Sequence, residues 1–328
     1  GTFFVDKTEI LKELIPALQQ EQRFFCITRP RRFGKTVMAN MIAAFFENTG
    51  EPSLFEHLHI AEYAGYKEQA GKHDVIYIDF SEMPRECQNY QEYIDRVQNG
   101  LVRDIQEAYP ELVIENNAAV WDILSLVFNQ TGHKFIFVID EWDAVFHSSF
   151  ITEKDKKDYL LFLKLLLKGQ SYVELAYMTG VLPIAKYSDG SELNMFLEYN
   201  MATRVRFSEY FGFTEPEVSA ICEKYGMSFE EAKTWYDGYQ LVAHRQWKDE
   251  CYSMYNPKSV VEAMLRHKFG TYWNQTETYE ALKIYIQMNM DGLKDAIIQM
   301  LAGGSIRINT GTFNNDMTTF ATKDDVLT

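Results

Sequence analysis

The chain has 328 residues, a formal net charge of −15, 46% hydrophobic and 15% aromatic residues. That apolar content supports a buried core and excludes a chain disordered throughout, and the length allows two domains. The acidic surplus argues against a surface built to grip nucleic acid, so direct nucleic-acid binding is not expected. No membrane contact is expected either. The most apolar stretch, Tyr159–Leu167, contains Lys164 and is far shorter than the ~20 residues of a bilayer span. Asp6, Glu9, Glu13 and Glu21 interrupt the first residues, so no secretory leader is read there. Cys26, Cys87, Cys222 and Cys251 stand far apart, the pattern of reduced thiols in a cytoplasmic protein. His57 and His59 form the nearest histidine pair, and no Cys or carboxylate cluster accompanies them as a metal site would need.

In chain order, short apolar runs alternate with helical stretches, which predicts an α/β fold with a mostly parallel sheet. Thr8–Gln20 has the apolar spacing of one helix, with Thr8 as its cap. Phe24–Thr28 reads as a strand and Lys35–Phe46 as a helix. Val75–Phe80 is a second strand, followed by helices over Tyr90–Tyr109 and Ala118–Gln130. Phe135–Ile139 is the strongest strand of the chain, β-branched and aromatic throughout. A helix over Asp155–Lys168 leads to strands at Val173–Thr179 and Thr203–Phe207. The expected fold is therefore a five-stranded parallel sheet flanked by helices over residues 1–209.

Beyond Phe211-Gly212-Phe213 the pattern changes. Thr214 with Glu217, and Ser228 with Glu231, are capping boxes for two helices. Pro257–His267, Tyr279–Met288 and Gly292–Leu301 read as further helices, and Ser305–Asn309 with Met317–Ala321 as a hairpin. Residues 210–328 are thus expected to form a mainly helical, winged-helix-like domain. A new element starts at Leu327-Thr328, so the sequence is expected to be a fragment of something longer. Residues 210–328 carry 11 Lys/Arg against 16 Asp/Glu, which suits a lid or protein contact better than DNA reading. Trp235-Tyr236-Asp237-Gly238-Tyr239 fits core packing beneath a turn better than a stacking platform for a base.

The informative segment is Phe24–Thr36, FFCITRPRRFGKT. A strand runs into a loop, and Gly34-Lys35-Thr36 opens a helix, the context a phosphate-binding loop requires. Loop N–H groups and the positive helix end attract phosphate. Gly34 has no Cβ to keep the phosphates away. Lys35 reaches the β- and γ-phosphates and Thr36 offers its hydroxyl to Mg2+. The expected nucleotide contacts run over Arg29, Pro30, Arg31, Arg32, Phe33, Gly34, Lys35, Thr36 and Val37. Arg29 stands where the usual motif has glycine, and Pro30 donates no N–H. The loop arginines are expected to compensate with charge and paired donors. No acidic residue occurs from Gln22 to Phe46, an island of positive charge that suits polyphosphate. A basic surface loop without ligand is the plain alternative.

Phe135–Glu141, FIFVIDE, is the second half of the site. An apolar strand ending in two acids suits a Mg2+ ligand, Asp140, and a general base for the attacking water, Glu141. Thr179 either senses the γ-phosphate or satisfies backbone. Asp143 either supports the acidic pair or is exposed. Asp79 either approaches the site or caps a helix. Arg204 and Arg206 fit surface salt bridges better than an arginine finger.

Together FFVDKTEILKELI, ITRPRRFGKT, FVIDEWDAVF, Thr179-Gly180-Val181-Leu182, FGFTEPEV, WYDGY and YNPKSVVEAM resemble the bacterial AAA-ATPase-like family. The resemblance runs from Phe3 to about Ala263. It implies a P-loop ATPase fold with Lys35, Thr36, Asp140 and Glu141 in the two Walker motifs, with ATP and Mg2+ as cofactors. Members often carry a C-terminal nuclease-like domain of the PD-(D/E)XK type, which is not expected within these residues. The expected function is a Mg2+-dependent ATPase that drives or regulates a linked effector or partner protein, with self-association open. The alternative is a nucleotide-dependent switch with little turnover.

Overall fold

The computed structural model describes residues 4–48, 52–82, 86–115, 117–184, 187–188, 191–200, 206–236, 239–245, 248–272 and 292–302. The chain divides into two compact units, Gly1–Gly212 and Phe213–Thr328.

The first unit opens on three short turns instead of one helix. A 3-10 turn at Thr8–Ile10 precedes α1 (Leu11–Leu14), and a second 3-10 turn spans Ile15–Ala17. Pro16 lacks the N–H that a continuing helix needs, which is why the single helix expected from spacing does not form. Asp6, not Thr8, satisfies the start: its Oδ1 accepts from Thr8 N at 2.9 Å and from Thr8 Oγ1 at 2.6 Å.

Strand β1 (Phe24–Thr28) then leads through a loop into α2 (Lys35–Phe46). A short α3 (Tyr66–Gln69) precedes β2 (Asp74–Asp79). Helices α4 (Tyr90–Ala108) and α5 (Val120–Thr131) follow, then β3 (Phe135–Asp140). Asn89 caps α4 by accepting from Glu92 N at 3.0 Å, the role Asn favours at a helix start. Helix α6 (Glu153–Leu167) opens on a capping box between Thr152 and Asp155, and β4 (Val173–Gly180) returns to the sheet. The fifth strand is β5 (Leu197–Tyr199), not the expected Thr203–Phe207. Residues 201–205, including Arg204, lie outside the described residues, and Phe207 has a left-handed φ of 73° that a strand does not allow.

The strand order is β2-β3-β4-β1-β5, and every pair is parallel. Parallel strands need helical crossovers, so both sheet faces are covered and the central strands are mostly apolar. All of β1, β3 and β4 is buried. Alternation divides the core. Ile136, Val138, Leu175 and Tyr177 pack with Met38, Ile42 and Phe45 of α2. Phe137, Ile139, Ala176 and Met178 pack on the other face with α4, α5 and α6 residues such as Ile94, Leu124 and Leu163. Burying each large apolar side chain stabilises the fold by about 1.5–3 kcal/mol. The same alternation sends Asp140 and Thr179, at the carboxyl ends of β3 and β4, to the α2 face.

The second unit contains β6 (Phe213–Thr214), α7 (Glu215–Tyr225), α8 (Phe229–Tyr236), β7 (Tyr239–Arg245), β8 (Lys248–Tyr255) and α9 (Pro257–Arg266). A further helix spans Leu293–Leu301. The three strands form an antiparallel sheet in the order β6-β8-β7. The β7–β8 hairpin lies between α8 and α9, where no hairpin was expected. The expected helix at Tyr279–Met288 and the expected strands at Ser305–Asn309 and Met317–Ala321 fall outside the described residues, as do Asp237 and Gly238. Of the aromatic cluster, Tyr236 is buried, but Trp235 is 52% exposed and so is not core. Among the described residues no helix is long and apolar enough to cross a membrane.

Candidate functional site

The loop between β1 and α2 is built from two left-handed residues, Arg32 at φ 70° and Gly34 at φ 84°. Gly34 is the N-cap of α2 and offers no side chain to cap it. Its chain neighbours aside, no described residue comes within 4 Å of where a Cβ on Gly34 would point, so the space in front of the helix start is open. The first turn of α2 holds no acidic residue, and its positive dipole end is unopposed by its own helix. Thr36 and Val37 are exposed there, as is Arg31. Pro30, Arg32 and Gly34 are half-buried and Phe33 is buried.

Lys35 is nearly sealed at 3% exposure, and its Nζ stands 3.4 Å from Glu141 Oε1. It also donates to the Pro30 carbonyl at 3.3 Å. The acidic pair therefore faces the loop across β4, although β3 and β1 are not neighbours. Glu141 has a left-handed φ of 49°, which turns the chain sharply after β3. Its N–H donates to Asp140 Oδ1 at 3.1 Å. Thr179 Oγ1 donates to the same Asp140 oxygen and is approached by Glu141 N at 3.4 Å. Asp140 is fully buried, and among the described residues its Oδ2 has no partner. A buried carboxylate oxygen without a donor is costly unless a cation meets it. Burial pushes the Glu141 carboxyl above the usual range, Lys35 pulls it down, and Asp143 and Asp140 push it up again.

Asp143 is buried, not exposed. It accepts from Val181 N at 3.2 and 3.1 Å and from Leu182 N at 2.9 Å, which anchors the turn after β4. Burial raises its carboxyl despite those two donors. Trp142 and Gly180 complete this support, and sequence reasoning passed over both. A Cβ on Gly180 would meet Trp142 Cδ1 and Nε1 at 2.5 Å. The signal was present as Thr-Gly closing an apolar strand. Asp79 sits opposite Asp140 in the β2–β3 register, and its Oδ1 accepts from Ser81 N at 2.8 Å and Ser81 Oγ at 2.7 Å. It holds a turn and caps no helix.

The loop arginines were expected to supply donors to phosphate, but Arg29 is 1% exposed. Its Nη1 donates to Thr28 O at 2.7 Å and to Tyr199 O at 2.8 Å. Its guanidinium lies 5.2 Å from the centre of the Phe211 ring. The reason is geometric: β5 lies beside β1 and presents a carbonyl to the loop's first residue. Arg206 pairs with Glu13 at 2.6 Å and lies over the Phe207 ring at 5.2 Å. Among the described residues no group of three His, Cys, Asp or Glu side chains is arranged to hold a metal by itself.

A parallel five-stranded sheet, a loop-and-helix start after β1, and an acidic pair across β4 define a P-loop nucleoside triphosphatase fold. Residues 1–188 match the family model described as "Predicted AAA-ATPase", and the chain belongs to this AAA-ATPase-like family. It is 26% identical over 298 residues to a protein of Azotobacter chroococcum mcd 1 described as an uncharacterized protein in the vnfD 5′ region, covering 84% of this chain and 51% of that one. Among solved structures it is similar to the Aeropyrum pernix ORC2 protein in ADPNP–ADP complexes, at 14% identity and a TM-score of 0.36, covering 66% of this chain and 50% of that one. It is also similar to Cdc6p from Pyrobaculum aerophilum, at 10% identity and a TM-score of 0.36, covering 92% and 81%. The chain thus spans about half the length of the curated relative it matches.

Proposed function

We propose that this chain binds ATP with Mg2+ and hydrolyses it. The observation that carries this reading is Lys35 Nζ at 3.4 Å from Glu141 Oε1, beside a buried Asp140 oxygen that has no partner among the described residues. Lys35 and the open start of α2 hold the β- and γ-phosphates, with Pro30, Arg31, Arg32, Phe33, Gly34 and Val37 lining the loop. The open Asp140 Oδ2 and the exposed Thr36 hydroxyl fit Mg2+, which takes oxygen ligands and keeps several waters. When bound, Mg2+ would offset the negative charge that builds on the transferring phosphoryl group. Glu141 is the general base for the attacking water. Thr179, tied to Asp140, places that water or the γ-phosphate. The turnover is coupled to a linked effector or partner protein.

The test is ATP turnover with and without Mg2+ on wild type, Lys35→Ala and Glu141→Gln, with binding followed by isothermal titration. Lys35→Ala is expected to lose binding, and Glu141→Gln to bind without turning over. Absence of ATP binding by the wild type overturns the reading. A second reading, a switch with little turnover, is favoured by the Lys35 contact that engages the Glu141 carboxylate. Wild-type turnover no faster than that of Glu141→Gln establishes the switch instead.

A further inference from the structure

Arg29 stands at the loop position where the usual phosphate-loop motif has glycine, yet it is almost wholly buried. Burying a guanidinium is costly unless its donors are used, and an apolar side chain fills such space with less penalty. Nη1 is the terminal nitrogen in use: it serves Thr28 O and Tyr199 O, while among the described residues the buried Nη2 meets no acceptor. The backbone N–H of Arg29 serves Gly180 O at 3.1 Å. The planar head lies over Phe211, a geometry in which cation and ring attract. At the other end of the loop, Gly212 N donates to Phe33 O at 3.2 Å, and Phe33 is buried. The loop is thus fastened near both ends to Phe211-Gly212. These are the last residues of the first unit, and Phe213 opens the second. Burial lowers the Arg29 guanidinium to about 10, so it remains charged at neutral pH.

We propose that Arg29 is a positioning residue: a buried strut that makes the phosphate loop and the Phe211-Gly212 junction one mechanical piece, so that occupancy of the loop is felt at the junction. The coupling rests on the nucleotide reading above; the strut does not. Arg29 touches no substrate and acts through the backbone it holds.

The test is hydrogen exchange on the full chain for wild type, Arg29→Lys, Arg29→Met and Arg29→Gly. The last restores the motif's glycine. Without nucleotide, Arg29→Met and Arg29→Gly are expected to speed exchange at Thr28–Phe33 and at Phe207–Gly212 together, by about tenfold, with α6 unchanged. Arg29→Lys gives a smaller, graded effect and keeps the test alive if the other variants do not fold. Unchanged exchange at Phe207–Gly212 overturns the strut. With Mg·ATP, the wild type is expected to slow exchange at Phe211–Glu217. Arg29→Gly is expected to bind ATP within about fivefold of wild type and to lose that slowing. Loss of binding as complete as in Lys35→Ala makes Arg29 a phosphate ligand and overturns the proposal. If the wild type binds no ATP, the coupling falls with the nucleotide reading, and the nucleotide-free comparison still decides the strut.

Discussion

Thr179 Oγ1 donates to Asp140 Oδ1, so the end of β4 holds one oxygen of the β3 carboxylate and leaves the other open. Thr179→Val keeps the shape of the side chain and removes the donor. It is expected to weaken the Mg2+ dependence of ATP turnover more than ATP binding itself. A magnesium titration of turnover beside a binding titration measures the two separately.

Glu141 lies within reach of Lys35 while its own charge is disfavoured by burial. Glu141→Gln preserves size and removes the base. Turnover is expected to fall by about 10²–10⁴-fold, the usual contribution of general base catalysis. ATP binding should change little, which isothermal titration checks.

Both Glu141 and Asp143 are raised by burial. A carboxyl raised in the folded state contributes stability that is fully present below its unfolded value and is lost as pH rises through the folded one. Asp143→Asn removes one of these two groups. The stability gap between Asp143→Asn and wild type is therefore expected to move in the variant's favour as pH rises above the ordinary aspartate range. Urea unfolding across that rise reads the gap, and a constant gap contradicts the assignment. Turnover of the wild type should also lose its base on an acidic limb above the ordinary carboxylate range.

Gly180 has no room for a side chain against Trp142 and Asp143. Gly180→Ala is expected to cost about 1–3 kcal/mol, the scale of overpacking in a tight core. Thermal unfolding measures it. Turnover should fall as well, because Val181 and Leu182 lose their register on Asp143.

Arg206 pairs with Glu13 while both side chains remain more than a third exposed. The ion pair with Glu13 is expected to contribute no more than about 1 kcal/mol, since solvent screens such pairs, and thermal unfolding of Glu13→Gln reads it without disturbing the ring contacts of Arg206. Turnover of Arg206→Ala should equal that of wild type. A loss of turnover with binding intact would make Arg206 the arginine finger that its pairing argues against.

Local pattern was enough for much of this architecture. The bounds of β1 and α2 follow from an apolar run and helical spacing, and Lys35, Thr36, Asp140 and Glu141 are legible because their chemistry needs a strand end or a helix start. Other features depended on partners far away in the chain. β5 is three residues, Leu-Glu-Tyr, too short for a period and defined only by its pairing with β1. Arg29 reads as a phosphate donor until Tyr199 O and Phe211 are placed around it. Asp143 reads as a bystander until Val181 and Leu182 N–H groups turn toward it.

The amino-acid order by itself determined β1 to β4, the long helices between them and the residue types at their ends, because side-chain alternation and capping act over a few residues. Only the tertiary structure decided that β4 runs between β1 and β3, bringing Lys35 to Glu141, and that a loop arginine is spent inside. Those outcomes depend on which strands pair and on where carbonyls point once they do, and neither is encoded in any short stretch of sequence.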